Sequence, residues 1–197
     1  MIAVVDYDTG NLRSVCNAIE RIGAEYCVTD DAEVIRSAER VLLPGVGEAS
    51  SAMEKLRERG LVEVIKGLTQ PVLGICIGMQ LMCRYSEEGD VNCLGIFDTD
   101  VRRFTADKEQ GVKVPHMGWN SIENLRSPLF EGLDEGAFVY FVHSFAPNIC
   151  AETIAESENG RRFAAALSKD NFYGTQFHPE KSGEIGDIIL RNFLKIE

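Results

Sequence analysis

In the first half of this chain, short apolar runs alternate with segments whose apolar residues recur at helical spacing. Residues 2–5 form an apolar run of strand length, and Asn11 is placed to cap a helix running toward Gly23. Residues 25–28 predict a second strand, and Asp30 a cap for a short helix through Ser37. A third strand, residues 41–43, stops at Pro44; helices are predicted over 49–59 and 61–68. Residues 71–75 give a further strand, and the pattern after Cys76 is helical again. Such alternation predicts an α/β protein with a mostly parallel central sheet flanked by helices.

The second half reads differently. Residues 97–104, 113–116, 137–145, 152–156, 162–168 and 172–177 are strand candidates, several of them antiparallel, with turns at Gly111, Gly136 and Gly160. A last helix is predicted over about 183–194. There is no repeat, low-complexity segment or linker, so one domain over 1–197 is expected.

Candidate chemistry begins at Gly74-Ile75-Cys76-Ile77-Gly78, where a strand turns into a helix. Glycines two residues either side leave room for a crowded turn with the thiol at its tip, the arrangement of a nucleophile elbow carrying cysteine instead of serine. The start of a helix favours thiolate, and a thiolate there is a nucleophile for a carbonyl. Taken alone, the pattern equally describes a buried structural cysteine.

A second signal is Phe177-His178-Pro179-Glu180, after the final strand. In extended backbone, residues i and i+2 point the same way, and Pro179 biases His178 toward that conformation. Glu180 can then orient the His178 imidazole, as the base and orienter of a triad do. His116 and His143 compete for the role of base, but neither has a carboxylate two residues on. The third signal, Pro44-Gly45-Val46-Gly47, follows the third strand. A glycine-rich loop there can offer Val46 or Gly47 N–H to an oxyanion, beside the N–H of Ile77. It matches neither phosphate-binding glycine pattern. Gln80, one helical turn after Cys76, shares its face.

Composition narrows the classes. At 45% hydrophobic and 26% charged, the 197 residues suit a globular domain. A net charge of −11 lacks the basic footprint of a nucleic-acid binder. No apolar run is long enough to span a bilayer, and the N-terminus lacks a signal-peptide pattern. The six cysteines form no CxxC, which argues against zinc and for reduced thiols in a cytoplasm.

The motifs PGVG, GICIGMQ and FHPE, in this order, resemble the class I triad glutamine amidotransferase family over essentially the whole chain. The resemblance implies a flavodoxin-like architecture with additional antiparallel strands. It also implies glutamine hydrolysis through a thioester on Cys76, with His178 as acid and base, Glu180 as orienter, and no cofactor or metal. Gln80, Glu88, Ser144 and Phe145 would hold glutamine; many relatives carry tyrosine at position 145. DYDTGNLRSV, PHMGWN, YFVHSF and HPEKS are similar to the branch that serves histidine biosynthesis and passes ammonia to a separate (β/α)8 cyclase subunit in a heterodimer. Asn11, Met117, Trp119, Tyr140 and Lys181 are then the expected partner face. Coupling to that partner would turn the Val46 N–H into the oxyanion hole only when the cyclase is loaded. Rival readings are another glutaminase of the class, a stand-alone γ-glutamyl hydrolase, a degenerate regulatory subunit and a flavodoxin-like binding domain.

Overall fold

The computed structural model describes residues 1–8, 12–109 and 111–196. The helix cap and partner contact expected of Asn11 lie outside them. In chain order the first half runs β1 (Ile2–Val5), α1 (Leu12–Arg21), β2 (Tyr26–Thr29), α2 (Ala32–Ser37), β3 (Arg40–Leu43), α3 (Ala49–Glu58), α4 (Leu61–Lys66), β4 (Val72–Ile75) and α5 (Ile77–Met82). The second half runs β5 (Cys83–Ser86), β6 (Val91–Asn92), β7 (Phe97–Arg103), β8 (His116–Ile122), β9 (Ala137–His143), β10 (Phe145–Pro147), β11 (Thr153–Glu158), β12 (Arg162–Lys169), β13 (Phe172–Thr175) and α6 (Gly183–Phe193).

The main sheet has the order β11-β12-β13-β4-β3-β1-β2. From β2 to β13 its neighbours are parallel, and β12 and β11 add an antiparallel edge. Every residue of β1 and β4 is buried, as strands covered by helices on both faces must be. A smaller sheet has the order β10-β7-β5-β6, and β8 and β9 form a separate two-stranded ribbon. Among the described residues no helix is long and apolar enough to cross a membrane.

The mostly parallel α/β reading holds, with local corrections. Asp31, not Asp30, caps α2: its carboxylate accepts from the N–H groups of Glu33 and Val34. Asp30 instead pairs with Arg59. The strand expected at 113–116 begins only at His116 and runs on to Ile122. Its alternation is hidden because it is inverted: Met117 and Trp119 point outward, while the inward positions 116, 118 and 120 are histidine, glycine and asparagine. The strand expected at 137–145 breaks at Ser144 into β9 and β10, which join different sheets.

Two close approaches explain the glycines of the elbow. A Cβ on Gly78 would lie 1.7 Å from the Leu43 carbonyl oxygen, and one on Gly74 2.4 Å from the Met82 methyl. Only glycine lets α5 sit this tightly on β3 and β4.

Candidate active site

Parallel strands end on one side of the sheet, where open α/β folds gather their functional residues. Here the ends of β3, β4 and β13 supply the 44–47 loop, Cys76 and His178. Cys76 holds φ 54 and ψ −108, a strained backbone for a residue other than glycine. The strain persists because the Cys76 N–H donates to Thr175 O (2.8 Å) while α5 starts at the next residue.

His178 and Glu180 are both buried, and the imidazole Nδ1 donates to Glu180 Oε1 over 2.7 Å. Its other nitrogen, Nε2, has no nitrogen or oxygen partner among the described residues and is left to the Cys76 thiol. Burial alone lowers the proton affinity of His178, but hydrogen bonding and charge from Cys76 and Glu180 outweigh it and raise the pKa to about 10. The backbone holds the pair firmly. The His178 N–H donates to Tyr140 O (2.9 Å), and the Ser182 hydroxyl donates to His178 O (2.7 Å) while accepting from Tyr140 N–H (3.0 Å). Beneath them, a Cβ on Gly186 would meet Pro179 O at 1.8 Å, so α6 abuts the 179–181 turn.

The 44–47 loop lies against the elbow. Tyr7 donates to Pro44 O (2.8 Å), and a Cβ on Gly45 would come within 3.0 Å of Ile77 Cβ. Glu88 reaches the start of α3 beyond this loop, accepting from Ala49 N–H (3.1 Å); burial raises its pKa, partly offset by that bond.

These elements enclose a cavity of about 330 Å³. Cys76, His178, Val46, Gly47, Ile77, Gln80, Glu88, Ser144 and Phe145 all line it, so the residues expected for nucleophile, base, oxyanion and glutamine contacts meet at one place. Glu180 stands behind His178, outside the lining. Lys181, expected on the partner face, also borders the cavity, with its ammonium 5.9 Å from the Tyr140 ring centroid. Met117 and Trp119 are 63% and 56% exposed. The register places Trp119 opposite Tyr140 and Met117 opposite Val142 on one face of the β8–β9 ribbon.

Sequence reasoning missed Pro115, Val142 and His143 in the lining, Phe138 beside the exposed aromatics, and the Ser182 bridge. Period-2 alternation along β9 would have found Phe138 and Val142, which share the outward face with Tyr140. Gln176 was missed too: its amide donates to Cys76 Sγ (3.7 Å) and accepts from Gln80 Nε2 (2.9 Å).

A cysteine elbow on a parallel sheet, facing an imidazole–carboxylate pair, is the layout of an amidotransferase-type α/β enzyme. The class-I glutamine amidotransferase family model matches residues 3–196. The imidazole glycerol phosphate synthase subunit HisH of Bacteroides thetaiotaomicron is 57% identical over 99% of each chain. That of Idiomarina loihiensis is 47% identical over 99% of this chain and 97% of its own. Two solved structures share the fold. A glutamine amidotransferase superposes with TM-score 0.75 at 18% identity, over 99% and 98% of the two chains. PurLQS from Thermotoga maritima gives 0.69 at 19% identity, over 98% and 97%. The chain belongs to the class-I glutamine amidotransferases and, within them, to the glutaminase subunits of imidazole glycerol phosphate synthase.

Proposed function

We propose that this chain is one glutaminase domain, residues 1–197, that cleaves glutamine and hands the ammonia to a cyclase partner in histidine biosynthesis. The observation that carries the reading is the buried His178–Glu180 pair beside Cys76 at the cavity floor.

A protonated imidazole beside sulfur favours the thiolate. The Cys76 sulfur attacks the γ-carboxamide carbon of glutamine, forming a C–S bond and an oxyanion. N–H groups of Ile77 and of Val46 or Gly47 receive that oxyanion. His178 gives its proton to the leaving nitrogen; the C–N bond breaks, ammonia departs and a γ-glutamyl thioester remains. His178 then takes a proton from water, which attacks the thioester and releases glutamate and the thiolate. Glu180 holds the imidazole in one orientation throughout. Glu88 and the polar groups of Gln80, Ser144 and the Phe145 backbone are placed for the amino-acid end, the acid facing an α-ammonium.

The ammonia would leave toward the ribbon bearing Met117, Trp119, Phe138 and Tyr140, with Lys181 at its rim. Exposed aromatics of this kind anchor interfaces. The expected occupant is the (β/α)8 cyclase subunit, in a cytoplasmic heterodimer, which would use the ammonia to make imidazole glycerol phosphate and an aminoimidazole carboxamide ribotide.

A diazoketone analogue of glutamine tests the nucleophile. Burial raises the pKa of Cys83 well above the usual thiol value and that of Cys93 to about 11, so these thiols are poor competitors. Peptide mapping should find the adduct on Cys76. An adduct on another cysteine, with Cys76 untouched, would overturn the assignment.

A further inference from the structure

The inner face of the β8–β9 ribbon carries two histidines that the mechanism does not use. His116 and His143 stand directly opposite each other in the register, and their rings join Nδ1 to Nε2 over 2.8 Å. They sit among the rings of Phe104, Phe141 and Phe163, with centroids 4.9–6.3 Å away.

The direction of every hydrogen bond here is fixed by backbone groups. Asn120 Oδ1 accepts from the Ser121 N–H (2.9 Å), so its Nδ2 is the donor, to Glu158 O (2.9 Å) and to His116 Nε2 (3.1 Å). His116 must then carry its proton on Nδ1 and donate to His143 Nε2. His143 in turn carries its proton on Nδ1 and donates to Phe145 O (2.8 Å), a carbonyl that can only accept. Both rings are neutral and each ring nitrogen is matched. Their environment keeps them so. Burial brings His143 to about 3, against the raising effect of the Phe145 carbonyl, with the charges of His178 and Arg161 acting in the same direction as burial. Burial brings His116 to about 4.

The far end of this chain is the reacting sulfur. Phe145 O also accepts from Gln80 Nε2 (3.0 Å), the same Nε2 donates to Gln176 Oε1 (2.9 Å), and Gln176 Nε2 donates to Cys76 Sγ (3.7 Å). Ser144, where β9 breaks from β10, lies inside the short loop closed by the His143 side chain and Phe145 O. That loop sets how residues 144 and 145 present themselves to the cavity.

We propose that His143 is a positioning residue for glutamine cleavage, locked by His116 in the tautomer whose Nδ1–H fixes the Phe145 carbonyl and, through Gln80 and Gln176, the Cys76 sulfur. The inference rests on the glutaminase reading above and adds to it the link from ribbon to nucleophile. The outer face of the same ribbon is the proposed partner surface, so the histidines lie between docking and chemistry.

Two amide substitutions separate positioning from space-filling. His143→Asn keeps a donor near the Nδ1 place and abandons His116. His143→Gln keeps a group near the Nε2 place and abandons Phe145. His143→Leu removes both bonds at similar size. Glutamate release is measured on each variant assembled with the cyclase subunit and its substrate, together with iodoacetamide labelling of Cys76. Loss of a buried hydrogen bond of this kind predicts a fall of about 10- to 100-fold in kcat/KM for His143→Gln and His143→Leu, seen in both KM and kcat. His143→Asn, which keeps a donor for the Phe145 carbonyl but loses the His116 bond, should fall clearly less than either of the other two. Cys76 labelling rates should follow the same order. Equal activity and labelling in the Asn and Gln variants, or a fully active Leu variant, would overturn the proposal. If wild type itself releases no glutamate, the glutaminase reading fails, and the labelling order still decides whether His143 positions the sulfur.

Discussion

Tyr140 accepts the backbone N–H of His178 across 2.9 Å, and its own N–H reaches the Ser182 hydroxyl that binds the His178 carbonyl. The exposed ribbon and the buried imidazole are therefore two ends of one short hydrogen-bonded unit. A partner that presses on Tyr140 acts on the backbone of His178 with no side chain in between.

Ser182 is the closure of that unit. Ser182→Ala leaves the Tyr140 N–H and the His178 carbonyl without their partner. It should destabilise the fold by about 1–3 kcal/mol and lower the glutaminase rate that the partner elicits. Denaturant titration and glutamate release, run on the same preparation, check both. Unchanged activity would make Ser182 a fold residue only.

Replacing the orienter removes the negative charge beside Nδ1. Glu180→Gln should cut kcat on the order of 10²–10⁴-fold, the scale on which orienting carboxylates matter in triads. It also changes stability against pH. His178 has its pKa raised from 6.5 to about 10 in the folded state, so its contribution is fully present below 6.5 and is lost as pH rises toward 10. Wild type should lose denaturant resistance over that window, and Glu180→Gln should lose less. An identical decline in both would mean that other groups cause it.

The histidines of the ribbon act in the opposite direction. Their folded pKa values of about 4 and about 3 lie below the ordinary 6.5, so the unfolded chain binds protons first. Their contribution is present above pH 6.5 and falls away as pH drops toward those values. The double variant His116→Gln/His143→Asn should show a shallower loss of stability between pH 6.5 and 4. Parallel slopes in variant and wild type would contradict neutral burial.

Much of this was legible in the chain because it is local. Buried parallel strands show as apolar runs, and the elbow shows as two glycines around a cysteine. Residues 178 and 180 do meet, but not through a continuous extended segment as expected: His178 is extended, and Pro179–Lys181 form a 3-10 turn that brings the Glu180 carboxylate back to the imidazole. What stayed hidden depends on long-range pairing. The strand at 116–122 exposes its apolar Met117 and Trp119 and turns His116, Gly118 and Asn120 inward, the reverse of the usual alternation. Gln176 and Ser182 act through bonds to residues far away in sequence. His116 and His143 read as rival bases because nothing local shows that each satisfies the other.

The elbow itself stores strain. Cys76→Gly should relieve the positive φ and stabilise the protein by about 1 kcal/mol while abolishing glutamine cleavage. Gly78→Ala should do the reverse, costing about 3 kcal/mol or more, because its Cβ meets the Leu43 carbonyl at 1.7 Å. Thermal melts of the two variants check the opposite signs.

On the outer face, Trp119→Ala should leave the melt unchanged, since the side chain is 56% exposed, yet weaken cyclase binding by about 2 kcal/mol, roughly 30-fold. Calorimetric titration with the cyclase subunit reads this directly. Unaltered affinity would move the docking surface elsewhere.

The central claim, a Cys76-dependent glutaminase that serves a cyclase, is tested most directly by glutamate release. Wild type and Cys76→Ala are measured alone and then with the cyclase subunit and its substrate. The account predicts release only from wild type with the loaded partner, with Cys76→Ala silent while added ammonium still supports the cyclase. Full activity of the isolated chain, or release that survives Cys76→Ala, would contradict it.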